Sequence, residues 1–384
     1  AVGYAALNSQ NSDSNNEVTY NVGVGVSAGY YNVTGQGNTY IGSQAGQGAS
    51  NQSNSRNTSV GYYSLFKITT GTDNAALGAS AGQEITTASG SVFLGKDAGG
   101  TNTTGNSNIG IGLGAMNGGT VTGDNNIAIG PQAMDAVTSG KDNIGIGHET
   151  LTRLTTGESN IAMGNNALGQ NTLTGDYNVA IGFFALSDES SGNNNVGIGY
   201  TAGRDAVGVS GSVFIGENAG HSVSTGQQNI AIGKDTMNGA AITGKQNIGI
   251  GSEAVLDALT SGVLNIAIGA KAGSAINTGG YNTTVGFQAG LNLTTSSGSI
   301  AIGTSAMALA TTGNNNIAIG NAAANGGNTT GDNNISIGTT AGDALTSGKD
   351  NVFIGKQAGV DVNSGHSNVL IGLQAGHDLT TGFH

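Results

Sequence analysis

Seventy glycines in 384 residues, with one proline and neither cysteine nor tryptophan, exceed the usual glycine share of ~7% more than twofold and exclude an ordinary globule. Charged residues make up only 9% and the net charge is −12, so no basic face is available for nucleic acid or an anionic membrane. Low charge with plentiful Ile, Val and Ala excludes disorder, glycine without a three-residue period excludes collagen, and no apolar run approaches the ~20 residues of a transmembrane helix.

The chain opens on Ala1-Val2-Gly3-Tyr4, which forms no signal peptide and reads as the inside of a repeat, so an upstream segment is expected to be missing or processed. Residues 8–20 form a polar insertion that lengthens the first coil. Seven of the ten tyrosines lie before residue 64. Tyr30, Tyr31, Tyr62 and Tyr63 are candidates for a surface patch that binds a glycan or a protein, or for a cap on the end of the solenoid.

From residue 21 one unit repeats to the end. It begins Asn-Ile-Ala-Ile-Gly, continues x-x-Ala-Gly/Leu/Met and closes with a Thr/Ser-Gly turn. Its 21 starts run from residue 21 to residue 368, and fourteen of the 20 spacings are 17, five are 18 and one is 19. Such a unit is too short for a helix pair or a propeller blade and fits one turn of a parallel β-solenoid or β-roll with 17–18-residue coils. At ~4.8 Å per coil, about 22 coils predict a single rod over 1–384 on the order of 100 Å long.

Each column of the unit carries an expectation. Apolar residues at the second and fourth positions, such as Ile127 and Ile129, or Val179 and Ile181, share one face of a strand. That face is assigned to the coil interior. The fifth position is Gly in every unit, which demands positive φ or close backbone approach. Ala three residues later, as at Ala45, Ala133, Ala219 and Ala358, suits a tight corner inside a narrow coil. Stacked Asn126, Asn143 and Asn160 predict a side-chain ladder. Where Ser91, Ser212 and Ser299 replace the leading Asn, Gly90, Gly211 and Gly298 precede them, which suggests two alternative turn types.

The third position is never charged and never an amide; Ala occupies it eight times and Gly five. Lying between the two Ile positions, it is expected to face outward, where an apolar column calls for a neighbouring chain. Tyr40, Ala76, Phe93, Gly110, Ala128, Phe214, Ala267 and Phe353 are therefore the candidate oligomer-interface residues. The expected assembly is a homo-oligomer, most simply a homotrimeric rod.

Asn-Ile-Ala-Ile-Gly-x-x-Ala, as at 126–133, resembles the repeat of trimeric autotransporter adhesin heads, left-handed parallel β-rolls whose unit is shorter. The run Asn-x-Ala-Ile-Gly…Ala-Leu…Thr-Thr-Gly-x-x-Asn is similar to repeats in phage tail fibres and bacterial surface proteins. These often precede an endosialidase-type intramolecular chaperone, which is not recognisable here. The resemblance implies the shaft of a trimeric extracellular fibre that mediates attachment to a host cell or surface; the expected partners are further copies of the chain and a host or surface receptor, for which a glycan is one candidate. Alternatives are a filament assembled end to end and a single-chain ice- or glycan-binding solenoid.

No enzyme is expected. Gly25-Val-Ser-Ala-Gly29 has nucleophile-elbow spelling, but the same columns read Gly42-Ser-Gln-Ala-Gly46 and Gly78-Ala-Ser-Ala-Gly82. His148, His221, His366, His377 and His384 show no metal-ligand spacing, and the calcium β-roll nonapeptide is absent. Ile109, Ala115, Val121 and Ile127 fall six apart, yet no hexapeptide subrepeat persists. No cofactor, metal, nucleic-acid partner or membrane insertion is expected.

Overall fold

The computed structural model describes residues 1–10, 18–239, 241–255 and 260–381. It is an all-β parallel solenoid of about 20 coils, about 17 residues apart, with no helix among the described residues. The chain forms two compact units, Ala1–Asn193 and Asn194–His384. The first holds the strands β1 (Val22–Val24) to β10 (Val179–Ile181), the second β11 (Val196–Ile198) to β21 (Val369–Ile371). Every strand has three residues, and within each unit consecutive strands pair in parallel with identical columns aligned. Between β7 (Ile127–Ile129) and β8 (Ile144–Ile146), Ile127 faces Ile144, Ala128 faces Gly145 and Ile129 faces Ile146.

The fifth-position glycine ends each strand, and both reasons for it hold. Gly147 has φ of +136°, and a Cβ there would lie 2.8 Å from the carbonyl oxygen of Gly164 one coil on. Two further corners follow at left-handed residues, as at Gln132 (φ +55°) and Met134 (φ +52°), and a third at the residue before the next Asn, as at Asp142 (φ +57°). Such conformations cost a non-glycine residue about 1 kcal/mol each. Inter-coil backbone bonds hold them: Gln132 N–H donates to Leu113 O at 3.0 Å, Met134 to Thr150 O at 2.9 Å and Asp142 to Asp124 O at 3.1 Å.

The strands face opposite to the sequence expectation. Ala128 is completely buried, and Ile127 and Ile129 on either side of it are partly exposed. All eight candidate interface residues, Tyr40, Ala76, Phe93, Gly110, Ala128, Phe214, Ala267 and Phe353, lie inside their own coil. They are core, and none presents a surface to a neighbour. The Tyr40 hydroxyl donates to Asn54 within that core, and burial pushes its pKa well up. The physical reason is space. The interior must also hold the eighth-position Ala, buried at Ala45, Ala133, Ala219 and Ala358, the ninth residue, and an apolar residue such as Val137 or Val362. Only a column that averages small fits opposite them.

Within that limit the third and ninth positions trade volume. Phe93, Phe214 and Phe353 sit over Gly99, Gly220 and Gly359, and Tyr40 over Gly46, where the ring fills the place of a Cβ. Small residues at the third position, Gly110, Ala128 and Ala162, accompany buried Met116, Met134 and Leu168.

The Asn ladder forms as expected. Asn143 Nδ2 donates to Asn126 Oδ1 at 3.1 Å and to Gly157 O at 2.8 Å, and Asn160 repeats the pattern on Asn143. In the second unit Asn265, Asn282 and Asn351 do the same. The Ser substitutions do not mark a different conformation before the strand, because Gly90 (φ +69°) and Asp142 (φ +57°) are both left-handed. They mark a volume exchange. A Cβ on Gly140 would lie 3.2 Å from Asn143 Nδ2, and one on Gly105 2.7 Å from Asn108 Nδ2. With Ser91, Ser212 or Ser299 in place of Asn, that space accepts the side chains of Ala88, Val209 and Ser296.

Candidate functional site

With the third column turned inward, the second and fourth columns form the outer face of the sheet. In the first unit they run from Val22 and Val24 to Val179 and Ile181, in the second from Val196 and Ile198 to Val369 and Ile371. Neither column contains a charge, and the only hydroxyls are those of Thr39, Thr58 and Thr283. In-register pairing stacks each Ile or Val on its equivalent one coil away, which covers part of it and leaves the outward part open: Ile181 is 37% exposed and Leu77 53%. Three residues by ten strands in the first unit and eleven in the second make strips roughly 10 Å wide and ~45–50 Å long. That exceeds or matches the few hundred Å² of contiguous apolar surface that an isolated soluble protein usually presents.

The candidate tyrosines form two edge-to-face pairs, Tyr30 with Tyr31 (4.5 Å between centroids) and Tyr62 with Tyr63 (4.3 Å), the latter extended by Phe66. Tyr62 alone of the four is mostly exposed, and its hydrogen bond with Tyr63 raises its pKa. The pairs lie in coils two apart. Ser9 N–H donates to Tyr30 O at 2.9 Å, which ties the start of the chain to the first pair. Of the insertion at 8–20, residues 11–17 lie outside the described residues.

Ser27 occupies the left-handed seventh position (φ +54°) with its N–H on Tyr4 O. Gln44 and Ser80 hold the same place in their coils (φ +57° and +56°). One grouping was not legible from local spacing. His377 Nδ1 lies 3.4 Å from Asp361 and 3.1 Å from Asp378, and the three offer ligand atoms within 4.8 Å of one another. Asp361 and His377 are almost one coil apart, so coil-length spacing is the signal that brings them together. His384 lies outside the described residues. Comparison with protein-family models and with curated proteins finds no match for the chain.

Proposed function

We propose that the chain is the shaft of an extracellular fibre made of several copies of itself, most simply three, that holds an attachment tip away from its anchor. The observation that carries this reading is the outer sheet face: uncharged in both columns throughout both units and apolar at every position but Thr39, Thr58 and Thr283. Two such strips offer an area on the order of the ~800 Å² per partner found in stable interfaces. A strand apolar on both sides is one buried on both sides, and a second copy of the same face supplies the matching flat, uncharged surface. Repetition supports the same reading, since near-identical stacked coils give stiffness and reach. The resemblance to tail-fibre and adhesin repeats supports the extracellular setting. Light scattering of the purified chain, with negative-stain images, tests it. A trimer with parallel, laterally joined solenoids is the expected result; a monomer at micromolar concentration overturns it and favours a single-chain solenoid.

A further inference from the structure

We propose that the corner just before the strands carries a binding groove for a neutral saccharide, centred on Tyr281 and Gly298, with a second one at Tyr20 and Gly37. This goes beyond the shaft reading and does not depend on it.

The last residue of each unit is left-handed, and its side chain points outward next to those of the coils before and after. Where it is Gly, the column has a gap one side chain deep. Gly298 (φ +69°) makes such a gap between Tyr281 and Asn315. The resulting groove of about 620 Å³ is lined by Tyr281, Ser297, Gly298, Asn314, Asn315 and Asp332. That volume falls in the usual range of small-ligand sites. Tyr281 is 66% exposed, and the adjoining Gly leaves its ring open on that side.

The polar rim is already held in place. Ser297 Oγ accepts from Gly280 N–H at 3.2 Å, and Ser297 N–H donates to Asn314 Oδ1 at 3.0 Å. Asn314 donates from N and Nδ2 to Asp332 Oδ1 at 2.8 and 3.3 Å. Side chains ordered before binding lose little freedom on binding. An open aromatic ring beside fixed amides, a hydroxyl and a carboxylate matches a pyranose, which has an apolar C–H face and a rim of hydroxyls. No cation lines this groove, which selects a neutral sugar over an anionic one.

The same order recurs in the first unit. Tyr20, 75% exposed, precedes Gly37 (φ +70°) in this column, and Arg56 follows. Thr34, Gln36 and Ser55 complete a groove of about 420 Å³. Gln36 N–H donates to Ser55 Oγ at 3.0 Å, and Asp73 holds the Arg56 guanidinium at 2.6 and 2.8 Å, which neutralises it. The other column glycines that accompany a Ser strand start, Gly90 and Gly211, follow Asp73 and Asn194 instead of tyrosine.

The test is saturation-transfer NMR on the whole chain with glucose, galactose, N-acetylglucosamine and their β-linked disaccharides at millimolar concentration. Transfer to the ring C–H protons of at least one sugar is expected. Tyr20→Ser with Tyr281→Ser should weaken binding at least tenfold. Gly37→Asn with Gly298→Asn should do the same by filling both grooves, and Asn already adopts this conformation at Asn315 (φ +54°). Unchanged thermal melting and light-scattering mass in the Asn variant separate loss of a site from loss of fold or assembly. No transfer to any of these sugars, or transfer unchanged in both double variants, overturns the proposal.

Discussion

The ring of Phe353 fills the space into which a side chain on Gly359 would project: a Cβ there would lie 2.5 Å from Phe353 Cδ1. Ala341, Leu345, Ala358 and Val362 close the same cluster. The coil thus admits one large side chain at either the third or the ninth position, since a packed interior has no spare volume.

Phe353→Ala is expected to cost about 3–5 kcal/mol by leaving a cavity. Gly359→Met should cost about 1–3 kcal/mol or more by overpacking. Together they recreate the arrangement of Ala128 and Met134, and Met134 tolerates the same left-handed backbone (φ +52°). The double variant should therefore be more stable than either single one. Denaturant unfolding in a double-mutant cycle measures the coupling, and additive losses would sink the volume-exchange account.

A second exchange predicts coupling between Gly140 and Asn143. Asn143→Ser removes the donors to Asn126 and Gly157 and should cost about 1–3 kcal/mol for the buried carbonyl left unbonded. Gly140→Ala should destabilise the parent chain, because its Cβ meets the Asn143 amide and Gly157 O. In the Asn143→Ser background it should cost less, as Ala88 beside Ser91 does in the native chain. Equal cost in both backgrounds would show that the amide is not what excludes the methyl group.

How much of this was legible before the fold depends on which columns are read. The invariant glycine from Gly25 to Gly372 marks every coil, and the apolar pair seen at Ile127 and Ile129 marks every strand but the three that begin with Thr39, Thr58 and Thr283. A period of two places those isoleucines on one face and Ala128 on the other, but it does not say which face is inside. Bulk argues for isoleucine inside, and the coil overrules it because Ala133, Met134 and Val137 already occupy the interior. The clue was in the chain: Phe93 with Gly99, Phe214 with Gly220 and Phe353 with Gly359 vary reciprocally in size, as residues sharing one core must. The grooves at Tyr20 and Tyr281 were hidden for another reason. Their partners stand a coil or more away, and only stacking puts Tyr281, Gly298 and Asn315 side by side.

The pH dependence of stability has an unusual sign at two sites. Burial raises the carboxyls of Asp135 and Asp343, partly offset by backbone N–H groups of Asn117 and of Asn325 and Gly326. Between the ordinary carboxylate value of ~4 and the raised one, the folded chain holds these protons and the unfolded chain does not. Their contribution therefore falls as pH rises through that window. Asp73 behaves oppositely: Arg56 holds it down to about 2, so that pair's contribution is present above the ordinary value and lost as pH falls toward 2. Exposure keeps the latter small. Melting temperatures at pH 7 and pH 4.5 should differ between the native chain and Asp135→Asn/Asp343→Asn, with the variant relatively more stable at pH 7. An identical pH profile would refute the assignment.

Charge placed on neighbouring residues of one strand should separate folding from assembly. Ala128→Lys buries an ammonium where no partner exists, and an isolated buried charge costs several kcal/mol or forces the coil open. Ile129→Lys points into solvent in the isolated chain, so its melting temperature under dissociating conditions should change little, as surface substitutions do. In the proposed assembly that same lysine would meet the equivalent lysine of another copy across an uncharged face. Ile129→Lys with Ile146→Lys and Ile302→Lys should then lower the light-scattering mass to that of one chain while the β-sheet circular dichroism persists. If instead Ala128→Lys dissociates the assembly and leaves the coil folded, the third column faces outward after all. If neither variant alters the mass, the copies meet through some other face, and the apolar strip must be explained without them.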